Sequence, residues 1–230
     1  MSDAQAGGGG GSVVGGGPRL VLATRNAHKV TELVRLLRPS VPGLADGDVV
    51  PTSALAGLGL PDPGEVVESG VTFAENALLK ARALAAATGL PAVADDSGLC
   101  VAVLGGAPGI FSARWAGRHG DDAANLRLLL DQLVDVPEAH RAAWFECAAA
   151  LVDPGAPDGE QERVAVGRLH GTLAAAPRGA GGFGYDPVLV PDGETRTCAE
   201  LSPQEKDAIS HRGQAVRGIA PHLVRLLAGG

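Results

Sequence analysis

Five short segments carry the residues whose types and spacing could do chemistry. The first is Thr24-Arg25-Asn26-Ala27-His28-Lys29, between an apolar run and a helical one. A helix start offers unpaired backbone N–H groups and the positive end of the helix dipole, which favour phosphate. Lys29 adds a full positive charge, and Thr24 and Asn26 add polar contacts. An ordinary strand–helix turn with a capping Asn and a surface Lys has the same appearance. The second segment is Glu68 followed by Asn76 and Lys80, which are four apart and share one helix face. A solvated polar face has that spacing too. The third is Ala94-Asp95-Asp96-Ser97-Gly98. Adjacent acids at the end of an apolar strand need positive compensation, and strand ends are where α/β proteins hold ligands. A hard divalent cation such as Mg²⁺, which takes one or two carboxylates plus phosphate oxygens, fits Glu68 and Asp96 with a triphosphate. An Asp-Ser-Gly turn is an equal alternative.

The fourth segment is Gly181-Gly182-Phe183-Gly184-Tyr185-Asp186-Pro187. Glycines around one aromatic leave its ring free to stack on a nucleobase; a glycine-rich turn holding a core Phe is the other reading. The fifth is Lys206 with Ser210-His211-Arg212-Gly213. These side chains offer donors to phosphate or to a carbonyl oxygen, or are surface charge and a helix-break cap. The run Gly7 to Gly11 is not a phosphate loop, because no strand precedes it and no Gly-Lys-Ser/Thr follows.

The elements that must position these residues follow from hydrophobic periodicity. Residues 19–24 (RLVLAT) read as a buried strand. Val30, Leu33, Val34 and Leu37 then fall on one face of a helix capped by Asn26 and stopped by Pro39. Residues 40–71 read as loop with one strand. Thr72 and Glu75 form a T-x-x-E capping box for a helix that stops at Gly89, with Pro91 beyond. PAVAD then reads as a buried strand ending at Asp95-Asp96. A helix covers about 121–134, two strands cover 141–152 and 162–174, and a short strand covers 188–190. Ser202-Pro203-Gln204-Glu205 is a second capping box, opening a short helix. A last helix follows Gly213, with Pro221 kinking it or lying in its first turn. This succession predicts an α/β fold with a mixed central sheet flanked by helices. Residues 1–17 read as a disordered Gly-rich tail and 18–230 as one domain.

Composition sets the outer bounds. Hydrophobic residues are 45% and charged residues 20% of 230, enough for a sizeable core. The net charge of −7 argues against broad binding to a nucleic-acid polymer but not against one small anion. No apolar run approaches the roughly 20 residues that cross a bilayer, so no membrane association is expected. The N-terminal residues do not read as a secretory signal. Cys100, Cys147 and Cys198 form no C-x-x-C pair and read as reduced thiols, which predicts a cytoplasmic location.

Taken together and in order, four stretches resemble the Ham1/RdgB-like family of inosine triphosphate pyrophosphatases: ESGVTFAENALLKARA (68–83), PAVADDSGLCVAVLGGAPGIFSARWAG (91–117), GGFGYDP (181–187) and AELSPQEKDAISHRG (199–213). The resemblance spans about residues 19–228. It implies two lobes around a substrate cleft, a homodimer, and a Mg²⁺-dependent hydrolase. That enzyme converts non-standard purine nucleoside triphosphates (dITP/ITP, XTP/dXTP) to the monophosphate and pyrophosphate. It places the phosphate turn at Thr24, Arg25, Asn26, Ala27, His28 and Lys29, and the metal on Glu68 and Asp96, with Asp96 also the base. Ser97 contacts substrate, and Phe183, Gly184, Tyr185 and Asp186 form the base pocket, completed by Lys206, His211 and Arg212. Asn76, Lys80 and Asp95 support the site. Two positions depart from the pattern: Arg25 replaces a common Gly, and Phe111 a frequent Tyr. The alternatives are a Maf-like nucleotide pyrophosphatase with another base preference and a non-catalytic nucleotide-binding regulator.

Overall fold

The computed structural model describes residues 17–24 and 27–228, without the side chains of residues 27–29, 32 and 36. Residues 1–16 of the tail expected over 1–17, and Arg25 and Asn26 of the phosphate turn, lie outside the described residues. Strand alternation decides how the rest packs. In β1 (Leu20–Leu22) and β3 (Ala92–Val101), successive side chains point to opposite faces. Leu20, Leu22 and Val93 join Leu33 and Leu37 of α1 (Ala27–Leu37) and Ile219 and Leu223 of α5 (His211–Ala228). Val21, Ala92 and Ala94 join Phe73, Ala77, Ala81 and Leu84 of α2 (Phe73–Thr88) on the other face.

The sheet order is β2-β1-β3-β4-β5-β6, with β2 at Val49–Pro51, β4 at Ala142–Val152, β5 at Glu162–Leu173 and β6 at Leu189–Pro191. β1 runs parallel to β2 and β3, and the remaining pairs are antiparallel. The sheet is therefore mixed, as the sequence predicts. A separate core at the far end joins Leu99 and Val101 to Leu129 and Leu133, with α3 (Asp122–Gln132) as its cover. α4 (Pro203–Ile209) is the short helix expected after Ser202, and both halves of its capping box are present.

Three local readings need correction. The strand expected to end at Asp95-Asp96 continues to Val101, because β4 pairs with it without a break from Ala92↔Val152 to Val101↔Ala143. The acids are thus mid-strand, and Ser97-Gly98 is not a turn. They still lie past the end of β1, whose last partner on β3 is Val93. The Thr72–Glu75 box is half formed: Thr72 Oγ1 accepts from Glu75 N at 3.1 Å, but the Glu75 carboxylate takes the N–H of Val71 at 2.6 Å. The last helix begins at His211 rather than after Gly213, because Ser210 Oγ accepts from Gly213 N at 3.0 Å and supplies the cap. Pro221 lies inside that helix.

The start of α5 sits directly on β5. A Cβ at Gly167 would collide with the backbone carbonyl of His211 and lie 2.7 Å from the backbone N of Ala215. Gly167→Ala should therefore lower stability by about 1–3 kcal/mol, the cost of overpacking a dense interior. Thermal unfolding measures it, and an unchanged melting temperature would show that α5 can lift off β5 freely.

Candidate active site

Two groups of polar side chains lie on opposite faces of β3. Even-numbered residues of that strand face α2, so Asp96 meets α2. Asn76 and Lys80, one turn apart on α2, both reach it: Lys80 Nζ lies 3.0 Å from Asp96 Oδ1, and Asn76 Nδ2 donates to Asp96 Oδ2 at 3.3 Å. Lys80 Nζ also lies 2.9 Å from Glu68 Oε1. Glu68 is held there because Asn76, fully buried, accepts from the backbone N of Gly70 at 2.9 Å. Glu68 and Asp96, separated in sequence, thus converge on one cationic point.

The electrostatics of this cluster follow from two carboxylates sharing one ammonium. Burial raises the Asp96 pKa above the ordinary aspartate value; Lys80 pulls it back, and Glu68 pushes it further up. For Lys80, burial acts downward, but Asp96 and Glu68 outweigh it and hold the ammonium above its ordinary value. A cavity of about 750 Å³ opens beside the cluster and is lined by Thr24, Thr52, Glu68, Lys80, Arg114 and His119. Thr52 Oγ1 donates to the Thr24 carbonyl at 2.8 Å, tying the end of β1 to the segment after β2.

Odd-numbered residues face the other way. Asp95 accepts from Arg212 Nε at 2.9 Å, and Arg212 Nη2 donates to Ser97 Oγ at 3.1 Å. Arg212 stands in the first turn of α5, so the cap at Ser210 sets its position. Next to it lies a cavity of about 390 Å³, lined by Ser97, Phe145, Phe183, Asp186, Lys206 and His211 among others. Phe183 is 67% exposed and lies on its wall. Asp186 is buried and fixes the loop: it accepts from Phe183 N at 2.8 Å and from Lys206 Nζ at 2.5 Å. Gly182 has φ of 72°, and a Cβ there would strike the Asp186 carboxylate, so this loop requires glycine. Lys206 Nζ is also 5.4 Å from the Phe183 ring centroid. Tyr185 is buried, with its hydroxyl donating to the Ser112 carbonyl at 2.9 Å, and so anchors the loop in the core. His211 stacks on Phe145 at 5.0 Å, and its buried Nδ1 has no hydrogen-bond partner among the described residues. Burial, then Arg212 and Lys206, press its pKa down to about 3, so the ring is neutral at pH 7.

The structure therefore brings Glu68, Asn76, Lys80 and Asp96 together. It brings Asp95, Ser97 and Arg212 together on the opposite face, beside the loop that carries Phe183, Gly184, Tyr185 and Asp186, with Lys206 and His211. Thr24 borders the first cavity. Arg25 and Asn26 lie outside the described residues, as do the side chains of Ala27, His28 and Lys29, whose backbone forms the first turn of α1. Three further residues also take part. Asp122 accepts from Gly184 N at 3.0 Å across 62 positions. The Ser112 carbonyl holds Tyr185, and Arg114 faces the first cavity. A larger cavity of about 960 Å³, near Glu138, Arg141 and Thr172, contains none of these residues.

The chain is similar to proteins of known kind along nearly its whole length. It is 65% identical over 211 residues to a dITP/XTP pyrophosphatase of Streptomyces avermitilis, covering 92% of this chain and 99% of that protein. It is 53% identical over 212 residues to a dITP/XTP pyrophosphatase of Mycobacterium tuberculosis, covering 92% and 98%. Among solved structures it matches a nucleoside-triphosphatase / dITP/XTP pyrophosphatase of Mycobacterium abscessus, with TM-score 0.72, 49% identity and coverage of 89% and 98%. It also matches a HAM1 protein of Coxiella burnetii, with TM-score 0.77, 40% identity and coverage of 90% and 99%. The Ham1 family matches residues 20–222, and with the site geometry and these relatives alongside, the chain belongs to that family.

Proposed function

We propose that this protein hydrolyses non-standard purine nucleoside triphosphates, dITP/ITP and XTP/dXTP, to the monophosphate and pyrophosphate, and so cleanses the nucleotide pool. The observation that carries this is the convergence of Glu68 and Asp96 on one cationic point beside an open cavity, in a chain 65% identical to a dITP/XTP pyrophosphatase. We read residues 18–230 as the catalytic domain and its location as cytoplasmic; the three buried, free cysteines fit a reducing compartment.

The donor set suits Mg²⁺. Both carboxylates already point an oxygen at a positive centre within 3.0 Å. Among the described residues there is no group of three or more His, Cys, Asp or Glu that could hold a metal, which fits an ion that completes its shell with phosphate oxygens. Glu68 and Asp96 would hold it, and when bound it supplies positive charge to phosphate oxygens. Thr24 and the first turn of α1 take the polyphosphate, with Lys80 offsetting its charge. Asp96 orients a water and accepts its proton; the water oxygen bonds to the α-phosphorus as the bond to the bridging oxygen breaks, and pyrophosphate leaves. Phe183 stacks on the base, and Arg212, fixed by Asp95 and Ser97, presents donors suited to a 6-oxo group and unsuited to the 6-amino group of adenine.

A pyrophosphate-release panel over dITP, XTP, dATP, dGTP, dUTP and dTTP, with and without Mg²⁺, tests the assignment. Preference for dITP and XTP that disappears with the metal is expected; preference for dUTP or dTTP would indicate the Maf-like alternative, and binding without release a regulator. Asp96→Asn should lower kcat by about 10²–10⁴-fold, the usual weight of general-base help, with the fold retained. Undiminished turnover would remove Asp96 from the base role.

Phe183→Ala should raise KM for dITP about tenfold, since stacking contributes about 1–3 kcal/mol per base, and should change kcat less. An unaltered KM would detach Phe183 from the base.

We also propose a homodimer. β5 leaves Val164 and Val166 exposed on the α2 side of the sheet, next to the stacked pair Trp144 and His170. Val166→Asp should convert a dimer to a monomer by light scattering, and a wild type that is already monomeric would exclude this contact.

A further inference from the structure

We propose that Arg114 binds the β- and γ-phosphates of the substrate, the portion that leaves as pyrophosphate. This rests on the pyrophosphatase reading of the site and adds a residue to it. The first observation is position. Arg114 closes the turn Gly109–Arg114, which packs against β3, and its side chain lines the same cavity as Thr24, Glu68 and Lys80. The second is that its charge is uncommitted. Lys80, Arg82, Arg168, Arg178, Arg196, Lys206 and Arg212 all make ion pairs with carboxylates. Arg114 is half-buried, yet among the described residues it has no hydrogen-bond or ion-pair partner; its contact is with the face of Phe111, 5.3 Å from guanidinium carbon to ring centroid. A guanidinium held over a ring face spends none of its N–H donors on a hydrogen bond, and their fork matches two phosphate oxygens.

The third observation is charge balance. Two carboxylates, Glu68 and Asp96, share the single ammonium of Lys80, so the cluster is one negative charge in excess before a polyphosphate enters. The metal would offset charge where the carboxylates hold it. The departing pyrophosphate needs a cation of its own in the cavity, and Arg114 brings an unpaired guanidinium to its lining. Charge builds on the leaving oxygen as the anhydride bond breaks, so a fixed donor there stabilises the transition state as well as the bound ground state. Phe111 acts as a positioning residue by backing the guanidinium.

The test compares wild type, Arg114→Ala, Arg114→Lys and Arg118→Ala. Arg118 is a nearby exposed cation that does not line the cavity. Calorimetry measures binding of pyrophosphate and of dIMP to each, and kinetics measure dITP hydrolysis. Loss of a charge-assisted hydrogen bond should weaken pyrophosphate binding by Arg114→Ala about tenfold while leaving dIMP within about twofold. Arg114→Lys should recover part of the loss, because it keeps the charge without the fork, and Arg118→Ala should match wild type. Unchanged pyrophosphate affinity in Arg114→Ala overturns the assignment. Equal loss of dIMP, or an equal effect from Arg118→Ala, overturns it too. If Arg114→Ala does not fold, Arg114→Lys decides, and affinity equal to wild type for that variant counts against a bidentate contact. Failure of the wild type to hydrolyse dITP would instead defeat the pyrophosphatase reading.

Discussion

One ammonium group holds two carboxylates in place, and the site is arranged around that contact. Glu68 comes from a loop, Asp96 from a strand and Lys80 from a helix, and their meeting point is partly buried. Two acids brought this close would protonate or separate without a cation between them. Lys80 offsets the charge of both, and Asn76 holds the loop and the strand to the same helix. The arrangement is poised for a stronger cation. On the proposed reading the same two oxygens would hold Mg²⁺, with Lys80 beside it.

Strand alternation does the rest of the sorting. Asp95 and Asp96 are neighbours in sequence but face opposite sides of the sheet. Asp96 joins the carboxylate cluster beside the phosphate-side cavity. Asp95 fixes Arg212, which with Ser97 forms one edge of the cavity where Phe183 lies. On the proposed reading, the metal-holding carboxylates and the base pocket are thus separated by the thickness of one strand. β3 can do this because β1 stops at Leu22, leaving the acids bordered on that side by no parallel neighbour.

Much of this was legible in the sequence. The helices over 73–88 and 203–209 are announced by their caps and the helix over 27–37 by its periodicity, with the apolar face at Val30, Leu33, Val34 and Leu37 buried as expected. The motif residues were recognisable as a set. What the sequence hid was pairing. Asp-Asp-Ser-Gly has the composition of a turn, and only unbroken pairing with β4 keeps it extended. The Ser210 hydroxyl, not the glycine three residues later, starts the last helix. The parts played by Asp122 and Arg114 are set by contacts across long stretches of chain, which residue type and spacing do not show.

The unbroken ladder between β3 and β4 has an evolutionary consequence. Because side chains alternate with a period of two, a one-residue slip would exchange every inward and outward position on the strand. Asp95 would then face α2 and Asp96 would face α5, so both halves of the site would fail together. Single insertions or deletions anywhere from Ala92 to Ser97 should therefore be purged in this lineage, whereas the loop between β4 and β5 is free to vary in length.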